Sequence, residues 1–265
     1  MRNAQRYPEK NFLGFEKCWQ RIRKTLRRID THRVGNVRVM HLDAEVAFER
    51  LLKPMSVERI YCLFPCPWPK RTHVRHRLFN RDFFRLTNSR LVSGGEMKIV
   101  TDYAPYVSWI KEELDQTGYT FDFNTIQPQY DTKFERKWCE AGQAEFFEIN
   151  LSKVDHIDVP VKNDEPLQGF CIDSFDVERF SFTNVTGPTS IILKDCIYDK
   201  LAQKAVIHIL VAETTEHMTQ HVWIGILRRG KDWKVDLLEG CEVIPTRGVQ
   251  QVFKILQEAL HVPGK

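Results

Sequence analysis

The sequence predicts an α/β protein, a doubly wound sheet of parallel strands followed by a smaller antiparallel α+β domain. Three observations carry that expectation. Short apolar stretches alternate with amphipathic ones through residues 1–114, at the spacing of β-α-β units. Four of the apolar stretches end on a polar residue or loop, which is how strands end when their carboxyl edge faces a ligand crevice. From about residue 154 the pattern turns to closely spaced, mostly alternating stretches and one closing helix.

Residues 11–16 form a short apolar strand ending in Glu16, and Trp19, Ile22, Leu26 and Ile29 then share one face of a helix. Residues 36–43 are a second strand, closing on Asp43, and 44–52 are a helix. The apolar strand 59–64 runs into the loop Pro65-Cys66-Pro67-Trp68-Pro69-Lys70. A helix over 79–91, a turn at 92–95, a strand over 96–102 ending in Asp102 and a helix over 106–114 follow. Residues 158–166 read as a linker. Beyond it, 179–186, 190–198, 205–215, 222–227 and 234–237 are β-rich, 229–232 suits a hairpin turn and 248–260 a helix. The domains expected are 1–153 and 154–265.

Composition narrows the class. The chain has 265 residues, 42% hydrophobic and 28% charged, the balance of a globular protein with a sizeable core. No run approaches the ~18 apolar residues of a membrane span, and the first residues lack the apolar centre of a signal peptide. Seven cysteines, an odd number with no Cys-x-x-Cys pair, predict reduced thiols in a cytoplasmic protein and no zinc or redox centre. The net charge of +4 is concentrated in residues 21–28 and in 70–90. In the latter, Lys70, Arg71, Arg75, Arg77, Arg81, Arg85 and Arg90 face a single acid, Asp82. Such clusters favour polyanions, although solvated helix faces share the pattern.

The most specific feature is Phe64-Pro65-Cys66-Pro67-Trp68-Pro69-Lys70. Its prolines stiffen the chain, so an aromatic ring and a cation are held over a pocket at little entropic cost. The segment resembles the Phe-Pro-Asp-Pro-Trp-Pro-Lys signature of bacterial tRNA (guanine-N7-)-methyltransferases. The basic stretch 71–77 follows it as in that family. Thr101-Asp102-Tyr103 resembles its Thr-Asp-Trp, and Thr132-Lys133-Phe134-Glu135-Arg136 matches its Thr-Lys-Phe-Glu-Arg box. Residues 11–16 and 42–44 match its second and third cofactor strands. The resemblance covers roughly residues 5–152.

What the resemblance implies is a Rossmann-like methyltransferase sheet that takes S-adenosylmethionine, needs no metal and acts on tRNA. Glu16 would accept the ribose hydroxyls of the cofactor, and Asp43 would lie near its adenine, with a helix N-cap as a compatible second role. Lys70, Asp102, Thr132, Lys133, Phe134 and Glu135 would hold the substrate, Asp102 also serving catalysis, and Arg71, Arg75 and Arg77 would meet RNA phosphates. Two departures stand out. Family members open with a strand and a Gly-rich turn that cradle the methionine end. Here residues 1–8 correspond to the end of the helix after that turn, so the sheet is expected to lack its first strand, through a misplaced start or a gene fragment. Cys66 stands at the family's catalytic and cofactor-facing Asp, and a thiol is a poor acceptor. Either Asp102 and Glu135 share that role or catalysis is weakened. The competing reading is therefore a non-catalytic RNA-binding relative. A methyltransferase for another substrate fits less well, because of the box at 132–136. His208, His217 and His221 read as surface histidines of the second domain, which would widen the grip on tRNA or form a homodimer.

Overall fold

The first 114 residues fold in the alternation their sequence predicts. In the computed structural model, which describes residues 1–216 and 218–260, they form α1 (Arg2–Arg6), β1 (Phe12–Glu16), α2 (Trp19–Thr31), β2 (Val37–His41), α3 (Ala44–Arg50) and β3 (Val57–Leu63). A 3-10 turn (Arg71–His76), α4 (Arg81–Arg90), β4 (Leu91–Thr101) and α5 (Ala104–Glu113) follow. β1 pairs with β2 and β3 with β4, each in parallel.

Two strands go beyond the sequence expectation. They are β5 (Tyr119–Ile126) and β6 (Phe146–Lys153), with α6 (Lys133–Glu140) between them. Both pairings are antiparallel, so the larger sheet is mixed, in the order β3-β4-β6-β5. β1 and β2 form a sheet of their own. Among the described residues, β1 pairs only with β2 and β3 only with β4.

The turn expected at 92–95 is instead a bulge inside β4. Val57 pairs with Leu91, but Arg59 already pairs with Glu96. Gly94 takes φ +68, and a Cβ on Gly95 would stand 3.0 Å from the Val92 carbonyl oxygen. Glycines in a β pattern mark such bulges as readily as turns.

The core of this unit lies where α3, α4 and α5 cover β3, β4 and β6, with Phe79, Phe83, Phe84, Met97, Ile99 and Ile149 buried together. Arg90 is fully buried, its guanidinium donating to the carbonyls of Phe48 (2.7 Å) and Val159 (2.7 Å). These bonds tie residues 154–162 to the first unit, so the division falls between Lys162 and Asn163 rather than at 153.

The second unit, Asn163–Lys265, contains β7 (Phe170–Ile172), β8 (Thr189–Asp199), β9 (Lys204–Glu213), β10 (Met218–Arg229), β11 (Asp232–Leu237) and α7 (Arg247–Leu260). They make one antiparallel sheet, β7-β11-β10-β9-β8. α7 buries Val249, Val252 and Leu256 against Ile207, Ile209 and Val211. Gly230, at φ +64, makes the expected hairpin turn. Residues 179–186 are not a strand. Phe180 and Phe182 pack on the core from a loop, and only Val185 bridges to Ile191. His217 lies outside the described residues.

Candidate active site

Glu16 ends β1, and its carboxylate accepts the Cys18 N–H at 2.8 Å, which settles the entry into α2. Its other oxygen stands 3.5 Å from the Arg21 guanidinium. Arg21 in turn lies over the ring of Phe134, 5.9 Å from the centroid, and Phe134 approaches the ring of Phe64 at 6.5 Å. Three separate elements, the start of α2, the end of β3 and the start of α6, thus meet through one chain of contacts. The structure brings together Glu16, Phe134 and the loop after β3.

That loop is held in an unusual backbone path. Phe64 (φ 58) and Trp68 (φ 43) occupy the left-handed region, which costs about 1–3 kcal/mol each for such residues and persists only where surroundings enforce it. Phe64 is pinned by its N–H on the Val100 carbonyl at 2.7 Å and by the Phe146 ring at 5.4 Å. Trp68 packs on His73 and His76. Arg77 is buried, donates to the Pro67 carbonyl at 2.9 Å and lies over the rings of Tyr106 and Trp109. Of the three arginines expected to meet phosphate, Arg77 is the one whose side chain is buried. Its charge braces the loop. Lys70, Arg71 and Arg75 remain exposed along the 3-10 turn, and Cys66 is an exposed thiol at the loop's centre.

Glu135 lies at the start of α6. It is buried, one oxygen accepting the N–H groups of Gln129 (2.8 Å) and Tyr130 (3.0 Å), the other that of Asp131. Thr132 caps α6, accepting the Glu135 N–H at 3.0 Å. Both side chains shape the turn that presents Lys133 and Phe134, which are exposed. Its oxygens are committed to the backbone amides of this turn.

Asp102 follows β4 at the same carboxyl end. Burial is the main cause holding its carboxyl above the usual aspartate range, opposed by a backbone hydrogen bond and by the Lys137 charge. Gln143, which no sequence pattern singled out, donates to the Asp102 carbonyl at 3.0 Å and to that of Glu145. Cys62, one strand away, packs against the core, and its burial pushes the thiol up to about 12. It is inert beside the exposed Cys66.

The fit to S-adenosylmethionine is testable on these residues. Glu16 and Asp43 stand at the ends of paired parallel strands, as the nucleoside half requires. Asp43 also caps α3 by accepting the Glu45 N–H (2.8 Å) and pairs with the flexible Lys17 (2.6 Å). Both roles weighed for it are compatible with that placement. The glycine-rich turn that would cradle the methionine half is not among residues 1–265. An open recess of about 480 Å³ is lined by Arg2, Asp131, Arg136 and Cys139 among others. Of the expected site residues only Glu135 borders it, so the cofactor reading rests on the strand ends. Among the described residues no group of three or more His, Cys, Asp or Glu is arranged to hold a metal, and no helix is long and apolar enough to cross a membrane.

A family model described as "Putative methyltransferase" matches residues 1–148. A tRNA (guanine-N(7)-)-methyltransferase of Chlorobium phaeobacteroides is 42% identical over 158 residues, covering 60% of this chain and 78% of that protein. Its namesake in Thermotoga maritima is 31% identical over 147 residues, 54% of this chain and 47% of the relative, so the chain spans about half that relative's length. The solved 16S rRNA methyltransferase KamB superposes with a TM-score of 0.45 at 12% identity, over 58% of this chain and 81% of that one. With the methyltransferase family model covering more than half of its residues and the Chlorobium protein 42% identical across 78% of that protein, the chain belongs to the tRNA (guanine-N7-)-methyltransferase family.

Proposed function

We propose that the chain transfers a methyl group from S-adenosylmethionine to N7 of a guanosine in tRNA, with the chemistry placed in residues 1–162 and an accessory role in 163–265. The meeting of Glu16, Arg21, Phe134 and Phe64 is the observation that carries this reading. It joins the carboxylate expected to hold the nucleoside to the box expected to hold guanine. When bound, S-adenosylmethionine supplies an electrophilic methyl group on a sulfonium.

The residues present do the rest by alignment. Guanine N7 carries a lone pair and no proton, so no general base is needed. Phe134, exposed and backed by Phe64, offers a flat face on which an unstacked guanine can lie. Asp102 accepts the edge N–H groups of guanine and its charge favours the positive charge that develops on the purine. Lys70, Arg71 and Arg75 hold phosphates and set the register of the RNA. Glu135, Thr132, Gln143 and Arg77 fix these groups in place. Seven free thiols accord with the cytoplasm as the place of reaction.

The test is to incubate the full chain with S-adenosylmethionine and unmodified tRNA transcripts, then digest the RNA and measure 7-methylguanosine by mass spectrometry. The modified base is expected with the wild type and lost with Phe134→Ala. One observation favours a second reading, the non-catalytic RNA-binding relative: Cys66 occupies the position of an acid. Binding of tRNA without any 7-methylguanosine, and methylation on changing Cys66→Asp, would establish that alternative for the chain as it stands.

A further inference from the structure

α2 is an exposed helix whose charge the first unit answers only in part. Its thirteen residues include Arg21, Arg23, Lys24, Arg27 and Arg28 against a single acid, Asp30, and only Ile22 is buried. Gln20, Arg23, Lys24 and Arg27 follow the spacing i, i+3, i+4, i+7 and line one shallow depression on the helix face. Arg21 has Glu16 as its ionic partner. Among the described residues no carboxylate pairs with Arg23, Lys24, Arg27 or Arg28. Like charges at these spacings destabilise a helix by roughly 0.2–0.5 kcal/mol per pair. A protein under no other demand would intersperse acids there.

The helix also begins where the site begins. Arg21, on the first turn, touches both Glu16 and Phe134, so the helix starts beside the ring proposed to receive guanine. Arg23 and Arg27 are about one turn apart, roughly 6 Å along the axis, with Lys24 between them. The exposed Trp19 at the near end, in contact with His41, adds an aromatic face beside the cations, the pairing that single-stranded nucleic acid favours.

We infer that α2 is a second rail for the RNA phosphate backbone, separate from the 3-10 turn, gripping the strand that flanks the guanosine through Arg23, Lys24 and Arg27. The inference rests on the tRNA reading above. Phosphate contacts of this kind add affinity without sequence readout and make it steeply salt-dependent.

The experiment compares wild type with the triple variant Arg23→Ala, Lys24→Ala, Arg27→Ala. Alanine favours the helix, so the fold is kept, and an unchanged circular dichroism melt verifies it. The triple variant is expected to bind tRNA at least about tenfold more weakly at low salt. Its log–log salt slope should fall by about 2 to 3, near one per lost phosphate contact. A second variant, Arg23→Lys with Arg27→Lys, keeps the charges and should keep the slope. If the wild type binds tRNA and the triple variant binds with the same affinity and slope, the rail is overturned while the methyltransferase reading stands. A wild type that binds no tRNA overturns both. Charge-dependent binding to vesicles of anionic phospholipid, with tRNA affinity unaffected by the variant, overturns the rail in favour of a membrane surface.

Discussion

Glu135 and Asp102 are both carboxylates of the same site, and their surroundings give them opposite tasks. Removing the Glu135 side chain strands three backbone N–H groups, and each unsatisfied buried donor costs about 1–3 kcal/mol before relaxation and water entry. We expect Glu135→Ala to lower the unfolding free energy by roughly 2–4 kcal/mol in urea titrations, with methyl transfer recovering in part in Glu135→Gln. Asp102 is different: Asp102→Asn should leave stability nearly unchanged and lower kcat by about 10²–10³, the usual loss for one electrostatic stabiliser. The sign of its pH dependence follows from burial. Its folded-state pKa is raised, so the folded protein binds the proton more readily than the unfolded chain. Its charge is therefore a cost to folding above that raised pKa, and the cost disappears as pH falls below the unfolded value. Under the proposed function activity runs the other way, since it is the carboxylate that is proposed to hold guanine. The acid limb of kcat/KM should lie above the ordinary aspartate range and vanish in Asp102→Asn. Residue types at the site were legible in the sequence, because the motifs name them. Their tasks were not. Arg77 and Glu135 look like free charges in a string of letters, and only their burial shows that one braces the Pro67 carbonyl and the other three amides. Gln143 had no signal at all, since its partners are a backbone carbonyl forty-one residues away and one two residues away.

At the level of elements, the helices and parallel strands before residue 114 were legible because each has one apolar face and a clear period. The bulge in β4 was not, because Val-Ser-Gly-Gly suits a turn and a bulge equally well. β5 and β6 alternate as plainly as the strands of the second unit, Phe121 and Phe123 and then Ile149 and Leu151 marking every other position. What hid them was the presumption that a β-α-β alternation continues. In the second unit, α7 is docked by Glu213, buried on β9, which accepts the Gly248 N–H at 2.8 Å and the Thr246 hydroxyl. A Cβ on Gly248 would sit 2.6 Å from the Glu213 carboxyl carbon and 2.8 Å from Val211. Overpacking there costs roughly 1–3 kcal/mol against about 1 kcal/mol gained in helix propensity. Gly248→Ala should therefore destabilise the second unit by about 1–2 kcal/mol, read as a shift in its urea midpoint. A neutral or stabilised variant would show that α7 can slide to make room.

For the molecule as a whole, the strand order holds the more consequential feature. β1-β2 and β3-β4-β6-β5 are two sheets within one unit, and among the described residues the outer edges of β1 and β3 carry no strand. In an extended strand the amide N–H groups point alternately to the two sides. Within β1 and β3, then, one amide in two is bonded to β2 or β4, and the next finds no ladder partner. Native-state hydrogen exchange should see this as a comb. Along residues 12–16 and 57–63, slowly exchanging amides should alternate with amides that exchange faster by orders of magnitude, while β4, flanked on both sides, retains its protons throughout. Uniform protection along β1 and β3 would show that both edges are covered in solution. The same two edges make these strands a template for any extended chain of matching pattern, so they would be felt first in the test tube, as association that rises with concentration.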